Sequence, residues 1–415
     1  MMIGVASLLY VYEFFLRVTP GVIIHELYRD FNIQAGTFGI ISAFFYFGYT
    51  PMQIVAGILT DHYGPKKLLI LASICCSVAI ASFSMTTSIV VAAISRLAIG
   101  IASSFGYICP LVITRFWLKP AYFSMAAGMI QMLGCLGAIL GGAPVRYLTD
   151  QIGWRSMSLY SAYIGLLLAI IFWLVIQENP DHQPKKRRSR FIVHDEYLKL
   201  ATVFNHPQTR WIALIGFCFW APMAVFAENL GPSYLMAVTG DTSHHVNRLL
   251  INTWIGVAIG GPIMGGLSAR YNDRKRPIMI AFFLCFIASI GLIVHGGNLA
   301  DNAIAVLLFL FGFGASAQCI AFGLISDHQP PKLTGTAVGL VNLSVIMGGS
   351  TLLPLCSWII EKLGNAYWQV DVLVYPIINY QLSLALMPIV SLLGMTVCYL
   401  KVTETNCQSQ YNETN

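Results

Sequence analysis

Twelve long apolar segments follow one another along this 415-residue chain, with short polar stretches between most of them. An α-helix needs about 20 predominantly apolar residues to cross the hydrocarbon core of a bilayer. Lipid offers no hydrogen-bond partner to an exposed backbone amide, so segments of this kind must be helical. The predicted membrane spans are residues 2–24, 35–60, 67–87, 89–114, 122–148, 155–177, 209–238, 246–269, 277–296, 301–326, 333–361 and 376–400.

The composition supports a multi-pass membrane protein and argues against other classes. Hydrophobic residues make up 57% of the chain and charged residues 10%, against about 25% charged in an ordinary soluble domain. None of the ten cysteines forms a C-x-x-C pair, so neither a disulfide framework nor a zinc site is indicated. We expect no cofactor and no metal. The net charge of +6 follows the loops of a membrane protein and does not indicate nucleic-acid binding.

The distribution of positive charge predicts the orientation of the chain. Of the 24 lysine and arginine residues, seventeen lie on the same side of the membrane as the loop between the second and third segments. Five lie on the opposite side. The remaining two lie inside spans. Positive residues are retained on the cytoplasmic side of a membrane, so we expect both termini in the cytoplasm. A bacterial cytoplasmic (inner) membrane is the expected location.

A polar segment divides the chain into two similar parts. We expect a six-helix bundle over 1–177, a cytoplasmic linker over 178–208, and a second six-helix bundle with a short cytoplasmic tail over 209–415. The basic run at 185–190 favours contact with anionic lipid headgroups over nucleic-acid binding. Gly100 recurs at Gly312, and the loop at 57–67 recurs in degraded form at 266–276. Parallel repeats of this kind place a substrate site between the halves at mid-membrane.

The most specific motif lies between the second and third segments. Residues 57–67 read Gly-Ile-Leu-Thr-Asp-His-Tyr-Gly-Pro-Lys-Lys. Such a charge density is costly in hydrocarbon, so it must lie in a tight turn at the membrane surface. The pattern resembles the loop between the second and third helices of the major facilitator superfamily, at Gly57, Leu59, Asp61, Gly64, Lys66 and Lys67. The resemblance implies an all-α membrane protein with twelve transmembrane helices in two pseudo-symmetric six-helix halves.

The same resemblance implies a gating role for charged residues near this loop. Asp61 would accept hydrogen bonds from helix N-terminal amides or from an arginine, and the basic pair would anchor at the cytoplasmic surface. Arg96-x-x-x-Gly100 resembles the family's arginine–glycine pattern in the fourth helix. Two alternatives stay open: the loop residues set only topology and turn geometry, and Arg96 reaches the membrane interface. The predicted gating residues are Gly57, Asp61, Gly64, Lys66, Lys67 and Arg96.

Two further stretches resemble particular branches of the superfamily. Residues 115–120 and 153–155 resemble anion:cation symporters, which carry carboxylates and sugar acids. The glycine-rich fifth segment resembles the antiporter motif of drug exporters. It departs from that motif because its proline, Pro144, follows Gly142 and Ala143. Close packing of helices through small residues is a sufficient explanation for these glycines.

Few ionisable residues lie at membrane depth. Glu13 and Arg17 are four apart, so they share one helix face and can pair. Arg17 is the best candidate to bind a substrate carboxylate, and Glu13 is a candidate proton carrier whose protonation would free Arg17. A permanent structural ion pair is the alternative. Glu228 is a second proton-coupling candidate if it faces the first span, and is merely solvated if it lies at the outer rim.

Neutral polar and aromatic side chains complete the predicted binding site. Most such residues in membrane proteins pack or bond between helices, and a minority contact substrate. The predicted substrate-binding residues are Arg17, Tyr12, Tyr46, Gln131, Trp220, Gln318 and Asn342.

These features predict a secondary active transporter and not an enzyme. We expect alternating access that moves a small organic solute, an organic anion or an amino-acid-like molecule, by proton-coupled symport. Proton-coupled efflux of a siderophore or drug is the alternative. The expected partners are the substrate, protons and membrane lipids, with the protein as a monomer.

Overall fold

The computed structural model describes residues 2–117, 123–177, 200–295, 299–329, 333–369, 372–408 and 410. Within these residues, twelve helical spans are long and apolar enough to cross a membrane. The predicted all-α fold with twelve spans is therefore confirmed. Spans 1 to 6 consist of helices Met2–Ala6 with Leu8–Val22, Ala35–Tyr63, Pro65–Met85, Ile89–Ser103 with Phe105–Trp117, Phe123–Leu140 with Ala143–Ile152, and Trp154–Val175.

Like the first six, each of the last six spans consists of one helix or of consecutive helices. Spans 7 to 12 consist of Pro207–Val225 with the π-helical turn Phe226–Leu230 and Gly231–Thr239, then Ser243–Tyr271, Lys275–His295, Asp301–Ala315 with Gln318–Asp327, Thr334–Lys362, and Ile377–Leu384 with Leu386–Lys401. A short helix, Ile24–Phe31, follows span 1. Strands Tyr367–Gln369 and Val372–Val374 pair antiparallel between spans 11 and 12. The sequence did not predict this hairpin, because strands of three residues carry too little alternation to be recognised.

Part of the predicted linker lies outside the described residues. The part concerned is residues 178–199. Residues 118–122, which carry part of the motif at 115–120, also lie outside the described residues. The boundaries of the two bundles at 177 and 209 therefore stay a prediction.

Two one-residue turns fix the ends of the bundle. Only Gly64 separates span 2 from span 3, and its backbone has φ +84° and ψ 150°, a region open essentially to glycine alone. Pro65 then begins span 3, where its missing N–H is not needed. Gly153 joins spans 5 and 6 in the same way, with φ +79° and ψ 152°. Because successive spans alternate in direction, these turns mark opposite ends of the bundle, hereafter the Gly64 end and the Gly153 end.

Matching glycine contacts occur in both halves. Gly100 of span 4 packs against the backbone carbonyl of Phe45 in span 2, where no Cβ could fit. Gly312 of span 10 packs in the same manner against the carbonyl of Thr253 in span 8. The repeat seen in the sequence at these two glycines is thus a repeat of helix packing. Close approach through glycine is a common way to join membrane helices.

We expect Gly100→Ala to destabilise the protein. The added methyl group would overlap the Phe45 carbonyl, and overpacking of this kind costs about 1–3 kcal/mol. Thermal unfolding in detergent should show a lower midpoint than the parent. Gly261→Ala is the matched control, since a Cβ at Gly261 would meet no atom within 4 Å. Equal midpoints for the two variants would contradict this account of the packing.

Candidate functional site

Spans 1 and 7 approach each other closely where the buried charges lie. Gly21 of span 1 packs against span 7, and a Cβ there would lie 2.7 Å from the carbonyl oxygens of Glu228 and Asn229. Glu228 sits in the π-helical turn Phe226–Leu230. Turns of this type interrupt the regular backbone pattern and are frequent at functional sites. The contact at Gly21 places Glu228 beside Arg17, about one turn earlier in span 1.

Three ionisable side chains meet in this interior. The Arg17 guanidinium donates from Nη2 to Glu13 Oε1, one helical turn away, and its Nη1 lies 3.6 Å from Glu228 Oε1. At most 2% of each side chain is exposed. The structure therefore contains the ion pair that the sequence spacing allowed, and it places Glu228 inside the bundle and not at its rim.

The two carboxylates differ in their hydrogen bonds. Glu228 accepts bonds on both oxygens, from Trp220 Nε1 at 3.1 Å and from the Tyr46 hydroxyl. The Tyr46 ring reaches this position over Gly349 of span 11, which has no side chain to obstruct it. Glu13 has one bonded oxygen, and its Oε2 is buried without a hydrogen-bond partner among the described residues. The charge of Glu228 is thus better stabilised than that of Glu13.

Arg96 is a second buried arginine beside this group. Its Nη1 donates to the carbonyl of Leu16 at 3.0 Å, and its Cζ lies 5.0 Å from the centre of the Phe45 ring. Its Nε and Nη2 have no hydrogen-bond partner in the part of the chain that the structure describes. Only 2% of the residue is exposed, so it does not reach the membrane interface, which was one of the alternatives. We call Glu13, Arg17, Arg96 and Glu228 the central cluster.

Aromatic rings surround the central cluster. The Arg17 Cζ lies 4.4 Å from the centre of the Phe14 ring and 4.9 Å from that of Tyr49. Phe14 in turn meets Trp254 of span 8 edge to face, with 5.8 Å between ring centres. Rings at these distances attract a guanidinium through their π-electrons and also exclude water from the charges.

A cavity lies next to Glu228 on the side towards the Gly153 end. Its volume is ≈ 10 Å³, which is room for about one water molecule and none for an organic solute. Its lining includes Val18 and Val22 of span 1 and Asn247 and Trp254 of span 8. The cavity therefore offers an organic solute no space between Glu228 and the Gly153 end.

Other predicted binding residues fall in different places. The Tyr12 hydroxyl donates to the carbonyl of Ser161 in span 6 at 2.8 Å. This hydroxyl joins helices within the first half and does not contact the central cluster. The role of Tyr12 in substrate binding stays a prediction. Gln131 accepts a bond from the Tyr10 hydroxyl at 3.0 Å. Gln131, in span 5, therefore contacts the face of span 1 that carries Tyr10.

The two predicted binding residues with amide side chains in the second half, Asn342 and Gln318, differ in their hydrogen bonds. Asn342 of span 11 donates to Gln53 Oε1 of span 2 at 3.0 Å, which links the two halves. The Gln318 Oε1 atom of span 10 is buried with no hydrogen-bond partner in the described ranges. These contacts leave Gln318 with an acceptor available to a ligand, whereas one of the two Asn342 N–H donors is already used.

The predicted gating loop is compact. Gly57 lies within span 2, Gly64 forms the turn, and Lys66 is half-buried while Lys67 is exposed. Asp61 belongs to the last turn of span 2, and its side chain lies outside the described parts of the structure. The gating role of this loop stays a prediction.

Contacts between the halves occur at the Gly153 end. Glu361, at the end of span 11, accepts a hydrogen bond on Oε2 from the Gly36 amide of span 2 at 2.6 Å. The hydroxyl of Tyr375 accepts one from the neighbouring Ala35 amide at 3.0 Å. Neither residue is predicted from the sequence, because nothing local to either indicates a contact with a helix so distant in the chain.

A second contact between the halves involves charged residues. Arg146 of span 5 pairs with Asp150 and, at 2.7 Å, with Glu26. The other Asp150 oxygen lies 2.6 Å from His244 Nε2 at the start of span 8. Burial, with the nearby Arg146, lowers the pKa of His25 to about 4. This imidazole is therefore neutral near pH 7 and does not compete with Arg146 for these carboxylates.

Comparison with known sequences identifies relatives along nearly the whole chain. A family model described as Major Facilitator Superfamily matches residues 6–354 and, in a second match, 249–406. The chain is 23% identical to the probable sulfoacetate transporter SauU of Cupriavidus necator, over 88% of each chain. It is 22% identical to the hexuronate transporter of Bacillus subtilis, covering 81% of this chain and 82% of the relative. The sialic acid transporter NanX of Escherichia coli is 25% identical over 73% of each.

Solved structures with the same fold are also found. A bacterial homologue of the human lysosomal transporter Spinster, inward-facing and unoccupied, superimposes with a TM-score of 0.74 at 15% identity, covering 96% of each chain. The nucleoside transporter NupG gives a TM-score of 0.74 at 11% identity, covering 97% of this chain and 100% of NupG. At these identities the similarity establishes the fold alone.

Proposed function

Since this chain belongs to the Major Facilitator Superfamily, we propose that it is a secondary active transporter that carries a small organic anion by alternating access in symport with protons. The relatives are transporters, so the chain is a transporter and not an enzyme. It is a multi-pass membrane protein. The names of the relatives, which include sulfoacetate, hexuronate and sialic acid transporters, support an anion that bears a carboxylate or a sulfonate.

The burial of Arg96 is the main observation in support of an anionic substrate. A buried guanidinium with two unbonded donor atoms is costly unless an acceptor can reach it. Carboxylates and sulfonates supply acceptors with matching charge. Arg17, already paired with two carboxylates, supplies a second guanidinium once one of those carboxylates is released. We therefore assign Arg96 to substrate binding as well as Arg17, in place of the predicted gating role.

Charge balance in the central cluster supports coupling to protons. Two guanidinium groups and two carboxylates sum to zero, so a bound monoanion adds one uncompensated negative charge in a buried site. Uptake of one proton restores the balance. Glu13 is the better acceptor of that proton, because one of its oxygens lacks a donor while both oxygens of Glu228 are bonded. A protonated Glu13 no longer holds Arg17 by charge, which frees Arg17 for the substrate.

The remaining assignments complete this proposal. The Gly64 end is cytoplasmic, both termini lie there, and the membrane is the bacterial inner membrane. This orientation rests on the excess of lysine and arginine at that end. The structure then corresponds to a conformation closed towards the outside. The protein acts as a monomer of two six-helix bundles joined by the cytoplasmic linker 178–208, with Asp61 and its neighbours as the cytoplasmic gate.

Uptake into proteoliposomes under an imposed pH gradient tests this function. We expect sulfoacetate, a hexuronate or sialic acid to accumulate above the level reached without a gradient, and a protonophore to abolish the excess. Amino acids and nucleosides serve as comparison solutes. Stimulation by a gradient of the opposite sign would indicate antiport and the efflux alternative. Anion uptake that ignores the gradient would contradict proton coupling.

A further inference from the structure

Spans 2 and 11 run antiparallel across the boundary between the halves. Helices Ala35–Tyr63 and Thr334–Lys362 have 29 residues each. The N-terminus of each helix therefore lies near the C-terminus of the other. The first amides of a helix lack partners within the helix and carry a partial positive charge, so a carboxylate placed beside them is stabilising.

At the Gly153 end this contact is formed. The Glu361 carboxylate accepts the hydrogen bond from the Gly36 amide, and Tyr375 accepts the one from Ala35. A Cβ at Gly36 would overlap Glu361 Oε2, so glycine is needed for this approach. Two unpaired amides at the start of span 2 are thus satisfied by side chains from the other half of the protein.

We propose that Glu361 holds the outer side of the transporter closed by capping span 2. Its place at the end of span 11 corresponds to that of Asp61 at the end of span 2, on the opposite side of the membrane. Spans 2 and 11 then carry one carboxylate cap at each end. Rocking of the halves about the central cluster opens one end as it closes the other, so only one cap is engaged at a time. Both parts rest on the proposed function for the orientation in the membrane and for alternating access, while the contact between Glu361 and span 2 is observed directly.

The Glu361 cap stabilises only the conformation in which the outer side is closed. With the outer side open, water can bond to the amides of Ala35 and Gly36, so Glu361 contributes little there. With the outer side closed, its loss leaves the Gly36 amide without an acceptor. Loss of a helix cap shifts an equilibrium by roughly fivefold. Variants of Glu361 should therefore populate the outward-open state about fivefold more than the parent.

Accessibility of a reporter cysteine at Val22 tests this proposal. Val22 is 3% exposed and lines the small cavity between Glu228 and the Gly153 end. The reaction of Val22→Cys with a polar maleimide is followed in nanodiscs, where both faces of the protein are accessible, after subtraction of labelling in the chain without this substitution. We expect slow labelling in the Val22→Cys parent and roughly fivefold faster labelling with Glu361→Gln or Glu361→Ala. Tyr375→Phe should give a smaller increase.

Lys362→Gln is the matched control, because it changes a charge at the adjacent position, where the ammonium lies 6.0 Å from the Trp358 ring of its own helix. Its labelling rate should equal that of the parent. Unchanged labelling in Glu361→Gln overturns the proposal, and so does equal acceleration in Lys362→Gln, which would indicate general loosening. If Glu361→Ala does not fold, the isosteric Glu361→Gln decides. No substrate or proton gradient enters the measurement, so a failure here is distinct from a failure of the proposed function.

Discussion

Replacing Arg17 with alanine should abolish gradient-driven uptake of the anion. The substitution removes a guanidinium that binds the substrate in our proposal, and it leaves Glu13 and Glu228 facing each other without the cation between them. Truncating one partner of a buried charge pair costs about 2–5 kcal/mol, so we expect a loss of roughly thirtyfold or more. The measurement is the initial rate of labelled-anion uptake into proteoliposomes with equal amounts of protein.

Two further variants separate charge from shape. Arg17→Lys keeps the positive charge and loses the planar fork that binds a carboxylate through two bonds, so its uptake should also fall steeply. Arg155→Ala is the matched control. Arg155 stacks on Trp154 near the Gly153 end, away from the central cluster, and its loss should leave uptake close to normal. Parental uptake by Arg17→Ala would exclude Arg17 from the substrate site.

Glu13→Gln should separate transport from the proton gradient. An amide resembles the protonated carboxyl in shape and charge, so Arg17 is released at every pH. We expect exchange of labelled for unlabelled anion across the membrane to persist, while accumulation driven by a pH gradient is lost. Both quantities are measured in one preparation of proteoliposomes, and the ratio of accumulation to exchange is the diagnostic value.

Glu228→Gln should behave differently and serves as the matched comparison. This carboxylate accepts bonds from Trp220 and Tyr46 and helps to hold Arg17, so its loss should impair exchange as well as accumulation. If Glu228→Gln retains exchange and Glu13→Gln loses it, the two carboxylates have the opposite roles. Normal gradient-driven accumulation by both variants would move the proton-binding group elsewhere in the chain.

Local patterns in the sequence predicted those features that depend on residues close to one another in the chain. Span length and polarity follow from the cost of exposing backbone and charge to lipid, so twelve spans could be placed within a few residues. The pairing of Glu13 with Arg17 follows from helical periodicity. The contact of the Tyr12 hydroxyl with span 6 could not be predicted, because helical periodicity gives the face on which a residue lies but not the helix that this face meets.

Features that depend on tertiary packing could not be predicted. The depth of Glu228 is set by a π-helical turn and by the close approach at Gly21, neither of which has a recognisable pattern. Arg96 could be buried or interfacial until its contact with the Leu16 carbonyl was known. The contact of Glu361 with Gly36 joins distant parts of the chain through a single hydrogen bond, which no periodicity reveals.

The zero net charge of the central cluster has an electrical consequence. A charge carried across a membrane exchanges about 2.3 kcal/mol with the field for every 100 mV of membrane potential. With both carboxylates ionised, as in the proposed empty carrier, the described cluster has two positive and two negative members, so its reorientation without substrate moves no net charge through that field. Voltage should therefore leave the return of the empty carrier unaffected. A monoanion that enters with one proton is also electrically silent, so the voltage dependence of transport would report the charge on the substrate relative to its protons.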